Sequence, residues 1–181
     1  MKNNIFLSAL FILATALLLF LNSCAQLKTI SLHKTYADIE FTIPATPVPG
    51  TIDIESEIQA DLQQLAADNG FDISKIESAK VNSISLMIND STIIPVTFDV
   101  VENATCSFFA DGETIAEVGT DDAVHTSPTQ LDFNLNGIDV SSYLKSNMFK
   151  AKLHLTTNAP ITHDVPMKAS IECTFKVKPL K

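Results

Sequence analysis

Period-two alternation is the feature that most restricts what this chain can fold into. In Asp38-Ile39-Glu40-Phe41-Thr42-Ile43 every second residue is apolar and those between are acids or Thr, the pattern of a β-strand with one wet face. The rhythm returns at Ile84, Leu86 and Ile88, at Leu131, Phe133 and Leu135, and at Phe149, Ala151, Leu153 and Leu155. Its longest run is Ala169-Ile171-Cys173-Phe175-Val177, with Ser170, Glu172, Thr174, Lys176 and Lys178 between. Repeated short strands separated by turns predict a mainly β chain, an antiparallel β-sandwich of about seven to nine strands.

Turn chemistry agrees with this reading. Asp111-Gly112 lies between two strand-like runs and tolerates the positive φ of a hairpin. Asn89-Asp90 and Asn136-Gly137 mark further reversals, and Pro44, Pro47, Pro49 and Gly50 predict an extended connector without strand pairing. One stretch departs from the alternation. From Glu55 to Asn69, Ile58, Leu62 and Leu65 are spaced i, i+4, i+7, acids cluster at the start and Gly70 follows, which predicts one amphipathic helix. A second helical turn is expected over Val140 to Lys145.

Charge is divided unevenly. Residues 24–80 carry nine acids and four Lys, 81–144 ten acids and no Lys, and 145–181 two acids and seven Lys. Acidic strands lying beside basic ones would produce this division, and so would a bipolar surface used for head-to-tail association. The net charge is −9 and the chain contains no Arg, so the side chain best suited to phosphate and guanine is missing and nucleic-acid binding is not expected.

The first residues set an address. Met1-Lys2-Asn3-Asn4 precedes an apolar run from Ile5 to Leu21, broken only by Ser8 and Thr15, and Asn22-Ser23-Cys24 follows. One positive charge, a short apolar stretch and a small residue before a cysteine describe an export signal. The run sits at the lower limit for spanning a hydrocarbon core of about 30 Å, so cleavage is expected rather than retention. Leu21-Asn22-Ser23-Cys24 resembles the lipobox of bacterial lipoproteins, although Asn at position 22 departs from the usual small or β-branched residue. The resemblance implies diacylglyceryl attachment to the Cys24 sulfur, removal of residues 1–23 and acylation of the new amino group. Ala25 in place of Asp implies, by the same resemblance, sorting to the outer membrane of a Gram-negative envelope. The partner so implied is the membrane itself, held through two or three acyl chains that each contribute about 0.8 kcal/mol per buried methylene. Residues 24–50 then form the lipidated segment with the first strands and the Pro-rich connector, and 51–181 the remainder of a single domain.

No constellation in the body points to chemistry. Cys106 and Cys173 share the inward parity of their strands and, in an oxidising compartment, are either a disulfide or two buried thiols. His33, His125, His154 and His163 lack metal-ligand spacing, so no metal is expected. Asp111, Glu113, Asp121 and Asp122 can be gathered for calcium or remain solvated turn acids. There is no nucleophile elbow, Ser141-Ser142 has no evident base, and with five Gly there is no phosphate loop or cofactor scaffold. The chain has 11 Phe, two Tyr and no Trp; Phe108 or Phe109 and Tyr36 are the aromatic residues expected at the surface. The expectation is therefore no enzyme and no cofactor, but a lipid-anchored envelope domain with a structural role or a protein partner. The alternative is a carrier or sensor that holds a small apolar or glycan ligand between the sheets or under the helix.

Overall fold

The computed structural model describes residues 29–89, 97–121 and 127–178. Nine strands occur among them: β1 (Ile30–Ile43), β2 (Thr51–Gln59), β3 (Ile76–Ile88), β4 (Val101–Phe109), β5 (Ala116–Asp121), β6 (Gln130–Asp132), β7 (Asn134–Leu135), β8 (Met148–Thr157) and β9 (Val165–Val177). They form two antiparallel sheets, ordered β1-β9-β3-β6 and β2-β8-β4-β5-β7. The pairs are nested in sequence: β4 with β5 innermost, then β3 with β6, β2 with β8, and β1 with β9. Successive nested pairs alternate between the sheets, which is the winding of a jelly-roll sandwich.

The alternating residues supply the core. Phe41, Leu86, Leu131, Phe149, Leu153, Leu155, Ile171 and Phe175 are all buried between the sheets. Phe149 is the hub of an aromatic cluster, edge-on to Tyr36 at 5.6 Å and tilted against Phe108 at 5.0 Å, the offset geometries that ring quadrupoles favour. Tyr36, expected at the surface, is 5 % exposed. Its ring fills the core edge while its hydroxyl donates to the Ala60 carbonyl at 3.0 Å, so the polar tip is satisfied without water.

The predicted helix over Glu55–Asn69 is corrected. Residues 51–59 are strand β2, and the helix, α1, covers only Leu62–Asp68. Ile58 fitted two periods, the helical series with Leu62 and Leu65 and the strand series with Ile52 and Ile54. Pairing with β8 decided for the strand, because Asp53, Glu55 and Glu57 then lie opposite His154, Lys152 and Lys150. Asp61, at φ 48°, turns the chain out of β2 and into the helix. The expected turn near Val140 is present as α2 (Ser141–Lys145).

Two other expectations change in detail. The proline-rich connector is not wholly unpaired, since Thr46 and Ile161 exchange backbone hydrogen bonds at 2.8 and 2.9 Å. The single strand expected over Leu131–Leu135 is divided: β6 pairs with β3 in one sheet and β7 with β5 in the other. Phe133 sits at the crossing, its N–H donating to Ile84. The hairpin behaves as expected. Glu113 N–H donates to the Ala110 carbonyl, and Gly112 between them has φ 81°, which an L side chain resists.

The crossing from β6 to β7 depends on a close approach. A Cβ on Gly119 would lie 3.1 Å from the Asn134 carbonyl oxygen and 3.1 Å from Phe133 Cβ. Gly119→Ala is therefore expected to destabilise the protein by about 1–3 kcal/mol through overpacking, read as a lower urea midpoint at unchanged slope.

Candidate functional site

Cys24 and the leader lie outside the described residues. The other thiols are placed. Cys106 on β4 and Cys173 on β9 belong to different sheets, and both are free and buried in the structure. The bridge that the sequence leaves open is thus not formed here. Burial pushes each thiol up to about 12, so neither presents a thiolate nucleophile near neutral pH.

The remaining candidates disperse. His33 lies against Thr174 Oγ1 at 2.9 Å, His154 against Asp53 at 2.6 Å and His163 against Thr162 at 2.7 Å, all exposed; His125 is outside the described residues. Asp111 and Glu113 project from the hairpin, whereas Asp121 is buried at the end of β5 and Asp122 is not described. Among the described residues no group of three or more His, Cys, Asp or Glu converges as a metal site.

Ser141 and Ser142 stand at the head of α2 beside Asp139, whose carboxylate is already committed. Its Oδ1 accepts from the N–H of Ala79 and of Ser141, each at 2.9 Å. Partial burial raises the Asp139 carboxyl, but these bonds and Lys145 outweigh it and hold the group below the ordinary carboxylate range. Asp139 is a latch that ties α2 to β3. Asp139→Ala leaves the N–H of fully buried Ala79 without this partner and is expected to cost about 1–3 kcal/mol. Because the folded pKa is depressed, the latch stabilises at neutral pH and is lost as pH falls through that depressed value. Chemical melts from pH 7 to pH 3 should therefore show a smaller acid-induced loss in Asp139→Asn than in the parent.

What the fold brings together instead is a flank that sequence spacing alone does not reveal. β1 and β2 are the end strands of their sheets on the same side of the sandwich. Between them is an open cleft of about 540 Å³. Tyr36, Ile39 and Ile58 form its floor, and Lys34, Asp38 and Asp61 stand on its rim. Lys34 lies 5.1 Å from the Tyr36 ring centroid and 3.8 Å from Asp61. Asp38, at φ 54°, marks an irregularity in β1 between Tyr36 and Ile39, and its carboxylate meets Lys168 at 2.8 Å.

Along β2 the exposed side chains form an acidic row answered by β8. Asp53 meets Lys152 at 2.9 Å and His154 at 2.6 Å, and Glu57 meets Lys150 at 3.3 Å. Hydrogen bonds from Lys152 and then His154 hold the Asp53 carboxyl below its ordinary value. β9, by contrast, lies between β1 and β3 and exposes no edge; Lys168 and Lys178 face Asp38 and Glu77 across the neighbouring strands. The lysines that follow residue 145 thus meet acids of residues 24–80 on neighbouring strands of opposite sign.

No known protein family matches the chain, and no curated protein does. Solved structures do. The chain is similar to the Desmodium yellow mottle tymovirus protein, at 8 % identity over 85 % of both chains with a TM-score of 0.33. It is also similar to the cyanophage Pam1 capsid, at 9 % identity over 81 % of this chain and 86 % of that one with a TM-score of 0.38. A third is the infectious bursal disease virus VP2 subviral particle, at 14 % identity over 82 % of this chain with a TM-score of 0.35. The chain spans about a third of that last protein (33 %). The architecture assigned above rests on the strand pairing rather than on these likenesses.

Proposed function

We propose that this chain is a lipid-anchored cell-envelope protein, tethered through Cys24 to the outer membrane of a Gram-negative bacterium, whose jelly-roll body is a non-catalytic module for structure or protein interaction. The lipobox-like Leu21-Asn22-Ser23-Cys24 behind its apolar run carries this reading. The fold is compatible with it in two respects. β1 begins at Ile30, so an extended link from Cys24 reaches at most about 20 Å and keeps the body close to the bilayer. Ile30 pairs with Val177, so the body is held by that end, with the connector 44–50 and the turn 158–164 at the other. Among the described residues no helix is long and apolar enough to cross a membrane. The carrier reading drew on a helix over Glu55–Asn69, and most of its first half is strand β2. Metabolic labelling with a fatty-acid probe tests the proposal: the parent incorporates it and Cys24→Ala does not.

A further inference from the structure

Among the described residues the sandwich has four sheet edges, β1, β6, β2 and β7, and three of them are poor templates for another strand. β6 and β7 are three and two residues long. β1 is long but broken at Ala37–Asp38, where its register shifts and Asp38 takes a left-handed φ; short edges and bulges are the usual devices that prevent edge-to-edge pairing. β2 has neither device. Its nine residues pair with β8 in one unbroken register from Thr51 opposite Thr156 to Gln59 opposite Met148.

The direction of the β2 backbone groups follows from two bonds just outside the strand. Thr157 N–H donates to Gly50 at 2.9 Å, and Ala60 N–H donates to Asn147 at 3.1 Å. In an antiparallel pair such hydrogen-bonded positions recur every second residue. The even-numbered residues from 50 to 58 therefore turn their N–H and C=O toward β8, and Ala60 turns its N–H there while its carbonyl accepts from Tyr36. The odd-numbered ones, Thr51, Asp53, Glu55, Glu57 and Gln59, turn theirs toward the open edge. Those same five side chains are exposed on the outer face, while Ile52 and Ile58 are buried on the inner one. An added antiparallel strand would exchange hydrogen bonds with these five, and its side chains directly opposite would meet Asp53, Glu55 and Glu57.

We propose that the free edge of β2 receives an extended protein segment with Lys or Arg at every second position and small apolar residues between, which adds as a further strand to the sheet. β8 is the precedent inside the fold: Lys150, Lys152 and His154 already face the acidic row from the other side. A second copy of β2 is disfavoured, since it would set acids opposite acids. The intervening apolar residues of the guest would point toward the cleft between β1 and β2, over Ser56 and Ile58. Main-chain bonds supply the attachment and the alternating charges set register and direction.

This inference names the partner class of the interaction module and rests on that reading only for its setting, because peptide binding needs no lipid. The test is fluorescence anisotropy with the full chain in neutral detergent micelles. The probe is a labelled heptapeptide alternating Val and Lys; the comparison is the same composition with its lysines in one block. The alternating peptide is expected to bind at least ten-fold more tightly. N-methylation at its lysine amides, which face β2, should reduce affinity ten-fold or more, whereas N-methylation at its valine amides should leave it unchanged. Glu55→Lys should weaken binding ten-fold, and Glu102→Lys on β4 should not. Equal binding of the block peptide, equal loss from both methylated peptides, or no binding at all would overturn the proposal and leave the acids as a guard on the edge. A protein that binds the peptide but takes no fatty-acid label would retain this inference and lose the anchor; the converse result would do the reverse.

Discussion

Phe149→Ala is expected to destabilise the folded body by about 3–5 kcal/mol, the usual cost of removing a large aromatic side chain from a packed core. The side chain is 1 % exposed and lies between the two sheets. Its ring contacts Tyr36 on β1 and Phe108 on β4, so the cavity would open at a junction of both sheets, where neighbouring strands are held by their ladders and cannot collapse inward. Loss of the edge-to-face partner also loosens Tyr36, whose hydroxyl fixes Ala60 at the end of β2. In a thermal melt this corresponds to a fall of about 10 °C or more for a domain of this size. Phe109 provides the contrast. It is half-buried, with the Lys150 ammonium 5.7 Å from its ring centroid, and Phe109→Ala is expected to cost about 1 kcal/mol or less, the scale of an exposed cation–π contact. Comparable losses at the two positions would contradict the assigned core.

The second large effect concerns location. Two or three acyl chains on Cys24 would hold the protein on the membrane almost irreversibly, since burial is worth about 0.8 kcal/mol per methylene and a single chain gives only marginal binding. Cys24→Ala removes the sulfur that accepts the lipid while leaving the body, which begins at Ile30, intact. The expected result is that the material from which the leader has been removed leaves the carbonate-washed membrane pellet, with an unchanged thermal melt. Retention in the pellet together with normal leader removal would mean that something other than Cys24 holds it.

The sandwich is readable in the sequence because a two-sheet core imposes period two wherever one face is buried, and residues such as Ile171, Cys173 and Phe175 satisfy it without exception. Charge division carried information of the same kind: lysines absent from residues 81–144 and concentrated after 145 become the partners of acids on β2, β1 and β3. Ile58 shows where local pattern fails. It satisfied a helical and a strand period at once, and only the distant lysines of β8 distinguish them. The division at Phe133 was hidden for a related reason, because a strand that changes sheets keeps its alternation unchanged. Tyr36 was misplaced because an aromatic hydroxyl near a sheet edge reads as a surface group until its acceptor, the carbonyl of Ala60, is known. The β2 edge could not be read at all, since strand order is a property of contacts far apart in the chain.

The central claim concerns the covalent start of the mature protein. Intact-mass and fragment mass spectrometry of the protein extracted from membranes tests it directly. The account predicts a polypeptide that begins at Cys24 and carries a diacylglyceryl group on that sulfur. A mature chain that begins at any other residue, or that begins at Cys24 with an unmodified thiol, would contradict it.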